Sequence, residues 1–194
     1  MPDFAQLHAA LRHHAAVSPA VADTAALFIE FLGSSGEVFE RRHPPGHFTG
    51  SAWLVSADGQ RVLLTHHRKL GRWLQLGGHA DGDSDLARVA LREAEEESGL
   101  VGLTVEPEIF DLDRHLIPAR GDDPEHWHYD VRYVVRAEGS EDFSISEESL
   151  ALAWRRIDEL LADPDTDTSL RRMALRWLQT GPRGQAVGHT QPVA

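Results

Sequence analysis

The chain is predicted to adopt an α+β fold, a mixed β-sheet held between helices, and three observations predict it. Its 194 residues make one domain with enough chain to bury a sizeable core. Helical and strand-like patterns succeed one another with no internal repeat: helices first, then strands, a single capped helix, more strands, and a closing helix. The turn Ala57-Asp58-Gly59-Gln60 separates two apolar runs, which is a strong hairpin signal.

Taken in order, residues 3–32 are Ala-rich with helical spacing broken at Ser18-Pro19, so they read as two helices. His43-Pro44-Pro45-Gly46 follows as a linker. Strands are predicted at 48–56 and 61–67 across the hairpin turn, and at 73–77, where Leu74 to Leu76 lead into the double glycine Gly77-Gly78 and the turn Ala80 to Asp83. From Ser84 or Asp85 to Ser98 the chain holds no Gly or Pro, starts on Ser/Asp and stops at Gly99, the signals of a capped helix. Further strands fit 103–112, 127–137 and 151–155, with Tyr129 to Val135 mixing alternation and an apolar run. A last helix spans about 168–179 and ends at Thr180-Gly181-Pro182. The tail from Arg183 to Ala194 reads as coil. This divides the chain into an N-terminal helical extension (1–45), a main domain (46–182) and a C-terminal tail (183–194).

A formal charge of −12 argues against a nucleic-acid duplex as the main partner, because such binding draws on Lys/Arg patches. It leaves room for a small phosphorylated substrate held through a cation. With no cysteine there are no disulfides and no thiolate metal sites. The longest apolar run, TAALFIEFL, contains Glu30 and is too short to span a bilayer, and no basic stretch leads into an apolar leader, so the expectation is a cytoplasmic protein without a membrane partner.

The helix at 85–98 carries the chemistry. Stepping round it at about 100° per residue places Ala87, Val89, Ala90, Leu91 and Ala94 on one apolar arc with Leu86, while Arg88, Arg92 and Glu95 point away. Glu93 and Glu97 fall inside that arc and Glu96 at its edge. A solvated face with Arg92 pairing to Glu96 accounts for Glu95 but not for two inward carboxylates, which cost several kcal/mol to bring towards a core unless neutralised. Carboxylates at i, i+3 and i+4 lie within one turn, so Glu93, Glu96 and Glu97 can converge on Mg2+ or Mn2+, which prefer oxygen ligands. Gly78, at the end of the preceding strand, permits close backbone approach and an exposed carbonyl.

Gly78, Arg92, Glu93, Ala94, Glu96, Glu97, Gly99 and Leu100 together resemble the Nudix hydrolase signature, G-x5-E-x7-R-E-U-x-E-E-x-G-U with U a bulky aliphatic residue, and every gap has the right length. Two positions depart from it: Ser84, flanked by Asp83 and Asp85, stands where the first Glu is expected, and Ala94 is a small occupant of an aliphatic slot. The resemblance implies an α/β/α sandwich of the Nudix type around the mixed sheet, preceded by the N-terminal helices. It implies that Glu96 and Glu97 ligate a divalent metal together with Glu93 and the Gly78 carbonyl. It also implies that Arg92 orients Glu93 for metal binding or proton transfer, and that a loop before a late strand adds a carboxylate, Glu148 or alternatively Glu147. The implied activity is Mg2+- or Mn2+-dependent hydrolysis of a phosphoanhydride in a nucleoside diphosphate linked to another moiety. The alternatives are a domain that binds a nucleotide or phosphorylated metabolite without cleaving it and, with no Cys to support it, an isoprenoid diphosphate isomerase. Related folds often pair as dimers, and the N-terminal helices could serve a homodimer in that way.

Twelve histidines raise a transition-metal reading, above all His115, His126 and His128, of which the last two share a strand face. With no HExxH or Cys/His spacing they read instead as surface or hydrogen-bonded side chains, or as substrate contacts in a long polar loop from Arg114 to His128 closing over the acidic helix. Arg68, Lys69 and Arg72 meet phosphates or form a solvated hairpin tip. The five tryptophans read as core or strand anchors, with Trp73 the candidate for a ligand contact.

Overall fold

The computed structural model describes residues 4–68, 70–144 and 149–180. Helices α1 (Ala5–Val17) and α2 (Ala22–Leu32) flank a single 3-10 turn at Pro19–Val21, where Ser18-Pro19 breaks the helical run as expected. Strands β1 (Gly46–Val55) and β2 (Arg61–His67) follow, then two short strands, β3 (Trp73–Leu74) and β4 (Leu76–His79). Helix α3 (Leu86–Ser98) precedes β5 (Leu103–Ile117), β6 (His126–Ala137) and β7 (Ser149–Arg156), and the short α4 (Glu159–Ala162) leads to α5 (Thr168–Thr180).

The sheet is mixed. Strand β1 runs parallel to β6 from Gly46 beside Trp127 to Val55 beside Arg136, and the remaining pairings are antiparallel, in the order β3-β2-β1-β6-β5 with β4 on the middle of β1 (Thr49 to Ala52) and β7 on β2. Alternation along β1 sends Phe48, Ala52 and Leu54 to one face, where they share a core with Leu11 of α1, Phe28 and Phe31 of α2 and Val89 of α3. Phe31 stacks on Tyr129 with ring centroids 3.8 Å apart, which ties α2 to β6. Trp53 and Val55 face the other way, into a second core with Val134 of β6, Phe110 of β5, Leu160 of α4 and Leu170, Met173 and Trp177 of α5. Helices on both faces of one sheet make the α/β/α sandwich, and α1 and α2 belong to its first core.

Three elements differ from the sequence reading. The single strand expected at 73–77 is two, since β3 pairs with β2 whereas β4 pairs with β1. The polar loop expected from Arg114 to His128 is mostly strand: β5 and β6 pair out to Ile117 opposite His126, and a bridge between Arg120 and Asp123 closes the remaining turn. Continuous cross-strand pairing satisfies the backbone of these polar residues, so polarity there marks an exposed hairpin and not a lid. The four-residue α4 has too few residues to show a period. Among the described residues no helix is long and apolar enough to cross a membrane.

Candidate active site

Helix α3 is fixed by local chemistry at both ends. The Asp85 side chain caps it by accepting from the Arg88 amide, and Gly99 closes it in the left-handed conformation at φ 69°. Asp83 is held by Arg88 at 2.7 Å. Both acids flanking Ser84 therefore serve the helix start. The arc that was expected to face inward does so: Leu86, Val89, Ala90 and Ala94 are buried against β1, where a Cβ on Gly50 would meet the Leu86 carbonyl at 2.8 Å.

The acids separate as the angular placement predicts. Glu97 is buried, 9% exposed, and its Oε1 accepts from the Gly77 amide at 2.8 Å. Glu93 is half-buried, and its carboxylate lies so close to Gly78 that any Cβ there would fall on it. Arg92 bonds Glu93 Oε1 at 2.9 Å and the His79 carbonyl at 3.0 Å, instead of pairing with Glu96. Glu95 and Glu96 are exposed. The structure thus gathers Gly78, Arg92, Glu93 and Glu97 where α3 meets β4 and places Glu96 on the outer rim of the same turn. Glu147 and Glu148 lie outside the described residues, as does Lys69. Arg72 is engaged by Asp167 at 3.0 Å, and Trp73 packs against His66 with centroids 5.3 Å apart.

The donor chemistry fits a hard divalent cation: carboxylates one helical turn apart, a glycine that brings the backbone close against one of them, and no sulfur. The cradle at Gly78, which a side chain would fill, brings backbone and Glu93 together. The Arg92 guanidinium compensates one of the acids and orients it by a charge-assisted hydrogen bond.

On the opposite face of the sheet lies a group that the sequence shows only in part. The histidines of β6 that share a face, His126 and His128, are joined by His47 from β1, the register neighbour of His128, by His79 from β4, opposite Thr49, and by His115 from β5, opposite His128. Ring centroids of His47 stand 4.8 Å from His128, 5.0 Å from His126 and 5.1 Å from His79. His47 is 1% exposed, and neither of its ring nitrogens has a hydrogen-bond partner, a cost of about 1–3 kcal/mol for a buried polar group. Burial and the neighbouring histidines push its pKa down to about 3, and that of His128 down to about 2 for the same reasons. The expectation of surface or hydrogen-bonded histidines therefore fails for His47. Its neighbour in space, His128, is some 80 positions away in sequence, and only the parallel register of β1 and β6 joins them.

Below this cluster, on the same face, Arg132 is 2% exposed and contacts Asp130 at 2.7 Å and Asp111 and Asp113 at 3.3 Å each. Arg172 of α5 reaches Asp111 at 2.6 Å and Asp113 at 2.9 Å. Asp130 also accepts from Thr49 at 2.9 Å and Ser51 at 2.7 Å, so this network fastens β1, β5, β6 and α5 to one another.

Comparison with known proteins agrees with this architecture. The sequence matches none among the curated proteins. Solved structures of similar fold include an Ap4A hydrolase from C. elegans (TM-score 0.54, 16% identity, 69% of this chain and 96% of that one). A hydrolase of the NUDIX family from Clostridium perfringens has a TM-score of 0.52 and 24% identity over 69% of this chain and 97% of the other. The dihydroneopterin triphosphate pyrophosphohydrolase of E. coli has a TM-score of 0.55 and 15% identity over 69% and 96%. At these identities the likeness concerns the fold. The sequence model of the NUDIX domain matches residues 47–178, a span holding the whole sheet except Gly46, the acidic helix α3 and nearly all of α5, and by that match the chain belongs to the NUDIX family.

Proposed function

We propose that the protein is a hydrolase that, with Mg2+ or Mn2+, cleaves a phosphoanhydride bond in a nucleoside diphosphate linked to another moiety. The observation that carries this reading is the junction of α3 and β4, where Glu93 and Glu97 press against Gly77-Gly78 with Arg92 clamping Glu93. Glu93, Glu96, Glu97 and the Gly78 carbonyl would hold the cation, with Glu148 the candidate for a further carboxylate. When bound, the cation supplies charge neutralisation at the phosphate oxygens and acidifies a water. Glu93, or an acid outside the motif, would accept the proton; in favour of Glu93, Arg92 fixes its orientation and keeps one oxygen engaged, and Gly78 leaves no side chain between it and the strand. Glu97, bonded to the Gly77 amide, holds the glycine strand at a fixed distance from the helix.

Glu97→Gln tests this, because a Gln oxygen still accepts the Gly77 amide while the charge is lost. The expected result is an unchanged far-UV spectrum with Mg2+-dependent turnover abolished, in a product-mass screen over ADP-ribose, dinucleotide polyphosphates such as Ap4A, nucleoside triphosphates and nucleotide sugars. Undiminished hydrolysis by the variant overturns the assignment. Binding without product by the wild-type chain, over the whole panel, replaces it with a domain that recognises such a compound without cleaving it.

A further inference from the structure

One nitrogen from each of His47, His126 and His128 lies within 4.8 Å of the other two. Three features make this more than a crowd of imidazoles. His126 Nε2 and His128 Nε2 are 3.3 Å apart, and two nitrogens bound at about 2.0–2.1 Å to a tetrahedral centre stand roughly 3.3–3.4 Å apart. His126 Nδ1 donates to the Pro124 carbonyl at 2.8 Å, since that oxygen can only accept, so a neutral His126 carries its lone pair on Nε2, towards His128. Anchoring of the second ring nitrogen by a carbonyl or carboxylate is the usual support of a metal-ligating histidine. The third feature is His47, buried with both nitrogens unpartnered beside the other two rings.

We propose that His47, His126 and His128 form a binding site for a first-row transition-metal ion of the Zn2+ class, separate from the carboxylates of α3. Imidazole donors select Zn2+ and its neighbours over Mg2+, so the two sites differ in the cation they prefer. Three protein ligands leave a fourth position for water or for an oxygen of a bound anion. The two sites lie on opposite faces of the sheet, yet consecutive residues of β4 touch both: Gly78 abuts Glu93, and the His79 ring stands 5.1 Å from His47 and 5.2 Å from His128.

The test uses the full chain without an affinity tag, stripped with a chelator and titrated with Co2+, whose visible absorption reports a tetrahedral nitrogen site, followed by displacement with Zn2+. The wild-type chain should bind one equivalent with that spectrum, and the Glu96→Gln/Glu97→Gln double variant should bind it equally well. His126→Ala should weaken it by at least about tenfold, the lower end of what disturbing even the supporting residues of a metal site costs. Should that variant fail to fold, His126→Gln removes the ligating ring and keeps a polar strand residue. Absence of the spectrum in the wild type overturns the proposal. So does undiminished binding by the folded His126 variant, or loss of binding in the glutamate double variant alone. None of these readouts depends on hydrolysis, so the proposal stands or falls apart from the proposed activity.

Discussion

Strand β6 presents His126, His128, Asp130 and Arg132 in succession on one face of the sheet, and its two halves handle buried polarity in opposite ways. In the lower half each charge meets an opposite one: Arg132 sits among Asp111, Asp113 and Asp130, Arg172 completes the group from α5, and hydroxyls of β1 occupy Asp130. In the upper half, rings of like chemistry face one another and His47 has no partner. Asp111, Asp130 and Arg132 are buried as deeply as His47, whereas His126 and His128 are half-buried, so burial alone does not explain why His47 lacks a partner. The difference teaches that satisfied buried charge fixes strands together, whereas unsatisfied buried donors mark a place built for something else.

Breaking the lower half should have the largest effect. Arg132→Ala leaves Asp111 and Asp130 buried without their central cation, and should cost about 3–5 kcal/mol of unfolding free energy in denaturant titrations. A loss below about 1 kcal/mol would mean that the network is not the fastening described.

Acid separates the halves next. In chelator-treated protein, His47 and His128 titrate below the ordinary histidine value of about 6.5 of the unfolded chain. The unfolded state therefore takes up protons first, and their contribution is complete above pH 6.5 and lost as pH falls from there towards about 3. Stability should therefore fall with acidification across that window, with the two rings titrating as a coupled pair. Burial raises the Asp113 carboxyl, but His115, Arg132 and Arg172 outweigh it and hold it below the usual carboxylate range. Its contribution is therefore complete above about pH 4 and lost only in stronger acid. Chemical denaturation between pH 7 and 4.5 reads the histidine half alone, and a flat profile there contradicts the account.

The smallest expected effect is a gain. His47→Leu removes two unpartnered buried nitrogens and puts an apolar side chain of similar size in their place, so the metal-free protein should become more stable by about 1 kcal/mol, with a shallower acid slope. Destabilisation would show that His47 has a hydrogen-bonding role in the free protein.

How much of this was legible in the sequence differs between the two faces of the sheet. The acidic helix was readable because its features are local: the wheel set Glu97 inward and Glu95 outward, the caps set the ends, and the spacing from Gly78 brought strand and helix together. Helical period and capping act within a few residues, so the chain alone determined α3, both N-terminal helices, the 57–60 hairpin and the motif that resembles the family signature. The histidine cluster and the ion network depend on which strands become neighbours. His47 meets His128 and Asp111 meets Arg132 through register over distances of 21 residues or more, and β3 and β4 part company because each finds a different partner strand. Even the reach of the β5–β6 hairpin was decided by pairing, which converted a polar stretch expected to be a loop into strand. Tertiary structure alone chose these neighbours, because β-pairing is set by burial and hydrogen bonding between distant segments, and no local residue pattern encodes that choice.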